Sequence, residues 1–377
     1  MPTSYGFLST YPPTRCGLAT FTSALVRSLA TQEPDDRFGV VRVVDVPVTT
    51  VAPEVVAHLQ TQAPGSHGPA VKALNSFDVV VIQHEYGIFG GPDGKQVLEI
   101  LDGLSVPVVV VAHTVLAAPT INQHFVLQRM ASAAGAVVTM TQAARDRLLA
   151  RYDVDPSKVV VIPHGAPSRG ATGTLAPGDR PLILTWGLLG PGKGIEWAID
   201  GLQQLRSLRP LPAYIVAGQT HPQVRLRQGE AYRTQLSQRA SAAGVSHMVR
   251  FVDAYLDDEA LTRLIRRADV VLLPYDSRDQ VTSGVLVEAV AAHKPVVATT
   301  FPHAVELLSG GAGVLVPPRD SAAMGAALHR ILLHPEWSAG MAGAAARLAP
   351  AMLWPEVASC YRSLVAGLLA DRTPVPG

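Results

Sequence analysis

Short, unbroken apolar runs recur along this chain, and a stretch with helical periodicity follows each of them. The first half carries "FGVVRVVDV", "DVVVIQH", "PVVVVAH", "AVVTMT" and "KVVVIPHG"; the second carries "PLILTWG", "AYIVAG", "VRFVDA", "ADVVLLPY", "PVVATT" and "GVLVPP". A strand that is apolar at every position must be covered on both faces, and helices alternating with such strands cover a parallel sheet. The pattern therefore predicts an α/β chain of parallel, doubly wound sheets. The runs are too many for one mononucleotide-type unit, and 377 residues are too long for one ordinary core. Two Rossmann-like domains are expected.

The boundary shows as a change of composition. "PSRGATGTLAPGDRP", residues 167–181, is rich in Gly, Pro, Thr and Ser, lacks periodicity, and reads as a linker. The expected division is an N-terminal domain over 1–170, a C-terminal domain over 171–350, and a final segment, 351–377. In that segment "WPEVASCYRSLVAGLLA" reads as a helix with Pro355 in its first turn, packing back across both domains. Two such domains facing each other surround one cleft with strand carboxyl ends, where open α/β sheets bind ligands.

Charge narrows the partners. The chain has 31 basic and 30 acidic residues, net +1, with no basic block, which argues against nucleic acid. Cys16 and Cys360 are its two cysteines; they make no metal or disulfide framework and suit a reducing compartment. The start, "MPTSYGFLSTYPPTRCG", has neither the basic nor the apolar region of a signal peptide. No apolar run approaches the roughly 18 residues of a membrane span. A cytoplasmic protein is expected, with peripheral contact at the inner membrane face left open.

Several residues stand where chemistry is usual. His84, His113 and His164 end strands, so each is either a loop hydrogen-bonder or a ligand contact; their spacing does not suit zinc. "LILTWGLLGPGKGIEWAI", residues 182–199, passes from an apolar run through a glycine turn to Lys193. Gly187 to Lys193 fits G-x-x-x-x-G-K, but a P-loop needs Ser or Thr next to hold Mg²⁺, and Gly194 stands there. The turn is thus either a flexible loop with a solvated lysine or an anion site without a metal-binding hydroxyl. In "DQVTSGVLVEAVAAHKPVVAT", residues 279–299, Thr282, Ser283 and Gly284 lead into an apolar helix that Ser283 can cap. Glu288 lies one turn further on; it is either salt-bridged or contacts a ribose hydroxyl. Two anion-binding features in one domain point to a nucleotide diphosphate.

At these residues the chain resembles glycosyltransferase family 4, retaining enzymes of the GT-B fold. "YPPTRCGLATFTSALVRSLA" is similar to the family's N-terminal glycine loop, "VVVVAHTVL" to its strand-end histidine, "KVVVIPHGAP" to its pre-linker motif, "WGLLGPGKGIE" to its donor-phosphate turn, and "DQVTSGVLVEAVAAHKPVVAT" to its E-x7-E region. "AGQTHPQVRLRQGEAYRTQL" and "QHEYGIFGG" look like the mannosyltransferase-like branch. There are two departures. Leu188 follows Gly187 where the family has an arginine, and Gln280 stands for the first glutamate of E-x7-E.

The resemblance implies transfer of a hexose, mannose first, from a nucleotide diphosphate sugar such as GDP-mannose to a carbohydrate or glycolipid, with no metal or other cofactor. It implies His113, Lys193 and Gln280 as catalytic, and Gly17, Gly192, Thr282, Ser283, Gly284 and Glu288 as donor-binding. The alternatives are a nucleotide-sugar epimerase and a noncatalytic nucleotide-sugar binder of the same fold. Glu85 is read as a local cap in preference to an acceptor contact.

Overall fold

A computed structural model describes residues 2–46, 48, 52–63, 65–168, 180–277 and 279–371. The chain divides into two compact units, Met1–Gly165 with Trp354–Gly377, and Ala166–Leu353. Most of the 167–181 segment, with the 170/171 boundary expected inside it, lies outside the described residues.

Among the described residues, the first unit holds β1 (Ser4–Ser9), β2 (Arg37–Val44), β3 (Val55–Gln60), β4 (Val79–His84), β5 (Val108–Ala112), β6 (Ala136–Thr139) and β7 (Val159–Val161). They form one parallel sheet in the order β3-β2-β1-β4-β5-β6-β7. The second holds β8 (Leu182–Trp186), β9 (Ala213–Ala217), β10 (Val249–Val252), β11 (Val270–Leu273), β12 (Val296–Thr299) and β13 (Gly313–Val316). Their parallel order is β10-β9-β8-β11-β12-β13.

These orders fix where a ligand can enter. Strand order reverses between β1 and β4, and again between β8 and β11. At such a switch point the two outgoing connections leave toward opposite faces and open a crevice at the strand carboxyl ends. In the first unit the loops at that point begin at Thr10 and Glu85. In the second they begin at Gly187 and Pro274, so the lysine turn and the segment leading to Ser283 share one switch point.

All eleven apolar runs form strands. Two strands lack that signature. β1 is "SYGFLS", short and interrupted by glycine and serine, and β3 is "VVAHLQ", on a sheet edge with polar positions. β1 is nonetheless central: Phe7 and Leu8 are fully buried. Its strand character comes from β2 and β4 on either side, a tertiary influence that outweighs weak local preference.

The closing helix, Trp354–Ala370, belongs to the first unit and packs on helix Gly17–Gln32. Val357, Tyr361 and Val365 join the core with Phe21, Leu25 and Val111. Each fully buried side chain of this size stabilises by about 1.5–3 kcal/mol. Gln32 Nε2 also donates to Pro355 O at 2.6 Å.

Candidate functional site

The lysine turn is built by backbone contacts with the neighbouring strand ends. Leaving β8, Leu189 N donates to Gln219 O at 2.8 Å, and His221 N donates to Leu189 O at 2.7 Å. The turn then closes on the loop after β11, where Asp276 N donates to Gly192 O at 2.9 Å. Gly194 has φ +66, and a Cβ there would lie 1.8 Å from the carbonyl oxygen of Pro274. Only glycine permits both that backbone conformation and that approach. Gly192 has φ +88, but space beside it is open. Between them Lys193 lays its ammonium over the Tyr275 ring, 4.4 Å from the centroid. The lysine is therefore held by a rigid turn and an aromatic face rather than left as a solvated tail.

The helix start lies against this turn. Helix Gly284–Ala291 is capped by Ser283, whose Oγ accepts from Leu286 N at 3.3 Å. A Cβ on Gly187 would lie 3.6 Å from Val285 Cγ2, so the turn's first residue borders the helix's first turn. Buried His303 accepts from Ser283 N through Nδ1 at 2.8 Å, and His303 N donates to Gln280 O at 3.4 Å. Gln280 Nε2 donates to Thr282 O, which places Gln280 in the loop before the helix, folded onto it. Thr282 Oγ1 is buried and has no hydrogen-bond partner among the described residues. A buried hydroxyl with spare capacity at a helix start suits an incoming polar ligand. Glu288 lies half-buried in the helix's second turn.

In the first unit, Gly17 opens helix Gly17–Gln32 after Cys16, whose Sγ contacts Thr10 Oγ1 at 3.2 Å. A Cβ on Gly17 would meet nothing within 4 Å. The fold does not require glycine there, so the space it leaves is available to a ligand. His113 follows β5 and bonds Gln83 Oε1 through Nε2 at 2.6 Å. With Gln83 accepting, the proton is on Nε2 and Nδ1 offers a lone pair. Burial pushes the His113 imidazole down to about 3, with nearby His164 and His84 acting in the same direction. His113 is therefore neutral at physiological pH, a hydrogen-bonding group and not an imidazolium. His164 bonds Gly165 O at 2.8 Å and packs with Phe21 and Trp354, which makes it a brace. Glu85 accepts from Tyr86 N at 3.0 Å and from Thr114 Oγ1, tying the loop after β4 to the loop after β5.

Each unit matches a known family model. Residues 24–168 match Glycosyltransferase Family 4, and residues 180–334 match Glycosyl transferases group 1. Together the matches take in most of the chain. The chain belongs to glycosyltransferase family 4. This family 4 protein has the GT-B fold. It superposes on HepE of Anabaena, solved in complex with UDP and glucose, with a TM-score of 0.78 at 18% identity, over 97% of this chain and 100% of that one. Sucrose-phosphate synthase of Thermosynechococcus elongatus gives 0.77 at 18% identity, over 98% and 100%. In sequence it is 28% identical over 277 residues to a D-inositol 3-phosphate glycosyltransferase of Kineococcus radiotolerans, covering 66% of this chain and 62% of that relative.

The family 4 chain also reveals groups that its sequence did not single out. Asp276 anchors the lysine turn through its backbone N–H, while its carboxylate accepts from Arg319 Nε at 2.8 Å on both oxygens. His303 orients Ser283. His221 is bonded into the turn at Leu189. Each lies twenty or more residues along the chain from the part of the turn or cap it serves, a distance no local motif spans. Among the described residues, no helix is long and apolar enough to cross a membrane.

Proposed function

We propose that this protein is a retaining glycosyltransferase that moves a hexose from a nucleotide diphosphate sugar to a carbohydrate or glycolipid acceptor. One observation carries the reading: Lys193 sits in a turn pinned to the loop after β11, and that turn borders the Ser283-capped helix start. A cation and the positive end of a capped helix thus meet at one strand switch point. As the sugar leaves, negative charge builds on the diphosphate, and a preorganised donor set stabilises it at no reorganisation cost. Glu288 accepts from the ribose hydroxyls, and Gln280 contacts the transferring sugar. Gly192, Thr282, Ser283 and Gly284 line the phosphates.

The N-terminal unit takes the acceptor side. Neutral His113 hydrogen-bonds the transferring sugar, and the open space at Gly17 admits it. Where a P-loop places its metal-binding hydroxyl, Gly194 has a Cβ position filled by the Pro274 carbonyl. The turn itself therefore provides no side-chain ligand for Mg²⁺ at that point, and the transfer runs without a divalent metal. The reaction is placed in the cytoplasm, with a glycolipid acceptor reached from the inner membrane face.

GDP-mannose heads the donor panel through the branch resemblance. UDP-glucose joins it because HepE was solved with UDP and glucose. Radiolabelled nucleotide sugars, incubated with the protein and glycan or lipid acceptors, test the proposal. Transfer, or slow donor hydrolysis, that survives EDTA supports it. A changed sugar identifies an epimerase, and saturable binding with neither outcome identifies a noncatalytic binder. Loss in EDTA restored by Mg²⁺ or Mn²⁺ overturns the metal-free mechanism.

A further inference from the structure

The segment "AGQTHPQVRLRQGEAYRTQL" has no role in the mechanism above, yet it folds directly against the lysine turn. It leaves β9, which pairs with β8, and its Thr220 forms an isolated parallel bridge with Leu189. Hydrogen bonds on both sides of that bridge fix the register: Leu189 N to Gln219 O, and His221 N to Leu189 O. The next residue of the turn, Gly190, has its Cα hydrogens facing this segment. A Cβ there would lie 3.1 Å from Val224 Cγ2 and 4.0 Å from His221 Cβ. Gly190 O in turn accepts from Lys193 N at 3.2 Å. His221 and Lys193 are thus fastened to adjacent residues of one turn.

A polar network holds the segment in place. Thr220 Oγ1 donates to Glu230 Oε2 at 2.5 Å. Arg233 Nη2 donates to Gly218 O and to Asp253 Oδ1, each at 2.9 Å, and its Nε lies 3.4 Å from Glu230 Oε2. Arg233 is mostly buried, so it makes a fixed brace between the ends of β9 and β10. Thr220, Glu230 and Arg233 are positioning residues for the one after Thr220, which is His221.

The protonation state of His221 is set locally. Its Nδ1 accepts from Gln223 N at 3.2 Å, so the ring proton of the neutral form is on Nε2. Desolvation, with the Lys193 ammonium beside it, lowers the imidazole pKa from its ordinary value, which keeps the ring neutral at pH 7. A neutral ring with Nδ1 engaged offers one strong donor, Nε2–H.

We infer that His221 is a second phosphate-contacting residue of the donor site, its Nε2–H donating to the diphosphate held at the lysine turn. It supplies there the side-chain donor that Leu188 does not. This inference rests on the nucleotide-sugar reading. The chemistry it recognises is a nucleoside diphosphate, and the contact is independent of the base.

Titration calorimetry of UDP and GDP against the full chain tests it, using wild type, His221→Asn, His221→Asp and Lys193→Ala. Asn and Asp both keep an acceptor that can cap Gln223 N, so their thermal midpoints should stay near wild type. Asn lacks the reach of Nε2–H and should lower diphosphate affinity about tenfold. Asp adds a negative charge beside the phosphates and should lower it further. If both variants bind within about twofold of wild type while Lys193→Ala loses affinity, His221 is only a cap and the inference is overturned. If wild type binds neither diphosphate, the nucleotide-sugar reading fails and the role of His221 falls with it.

Discussion

Replacing Gly194 by alanine should damage this protein far more than the same change two residues earlier, and the structure explains why. Both glycines have positive φ, +88 at Gly192 and +66 at Gly194. For an L-residue that conformation costs about 1–2 kcal/mol. At Gly192 the cost ends there, because the added methyl enters open space. At Gly194 the methyl would be 1.8 Å from a backbone oxygen, that of Pro274, which no rotamer change can move. The turn must withdraw from the β11 loop by more than an ångström. Overpacking of this kind costs about 1–3 kcal/mol, and the Asp276 N to Gly192 O bond, worth about 1 kcal/mol, is lost with it. The total is on the order of 3–6 kcal/mol, or roughly 6–24 °C in the melting of a unit this size. Gly192→Ala should cost roughly 2–8 °C. Because Lys193 moves with the turn, Gly194→Ala should also lose most of the lysine's contribution to binding, about tenfold or more in diphosphate affinity. Differential scanning fluorimetry and calorimetric titration of UDP and GDP measure both effects. Matching midpoints and affinities for the two variants would refute the argument that the Pro274 contact shapes the site.

Three other outcomes follow from the same geometry. Lys193→Ala should weaken nucleoside diphosphate binding by roughly 10- to 100-fold and slow transfer, since a charged hydrogen bond is worth about 1.5–3 kcal/mol; unchanged affinity in calorimetry removes Lys193 from the site. Glu288→Ala should weaken the free diphosphate by on the order of tenfold to a hundredfold. Gln280→Ala should leave that affinity intact and lower kcat with the full donor, and the reverse pattern would exchange their roles. Finally, burial depresses the His84 imidazole to about 4 from an unfolded value near 6.5. Between those pH values the unfolded chain binds more protons, so this histidine's contribution, on the order of 3 kcal/mol, is present above pH 6.5 and lost toward pH 4. Melting of His84→Leu should therefore fall less steeply over that interval than wild type, and parallel curves would count against a buried neutral His84.

Much of this architecture is legible along the chain because its signals are local. A parallel strand covered on both faces favours apolar residues on both, so eleven strands declare themselves as Val/Ile-rich runs. A cap depends on one residue and its next turn, so Ser283 is readable from its place before an apolar helix, and Oγ does accept from Leu286 N. Glycine before and after Lys193 marks a turn that ordinary residues cannot make. What the sequence could not declare depends on residues that meet only after folding. β1 is a central strand through its neighbours, not through its own composition. Lys193 is fixed by Tyr275 and by the Asp276 backbone, more than eighty residues away. His303 orients Ser283 from twenty residues downstream. The three strand-end histidines look alike in sequence, yet the fold separates them into a sugar-facing candidate bonded to Gln83, a brace on Gly165 and a ring with neither nitrogen bonded. Local pattern determines which elements form; strand order determines which of their ends share a crevice, and only that placement turns a glycine turn and a capped helix into one site.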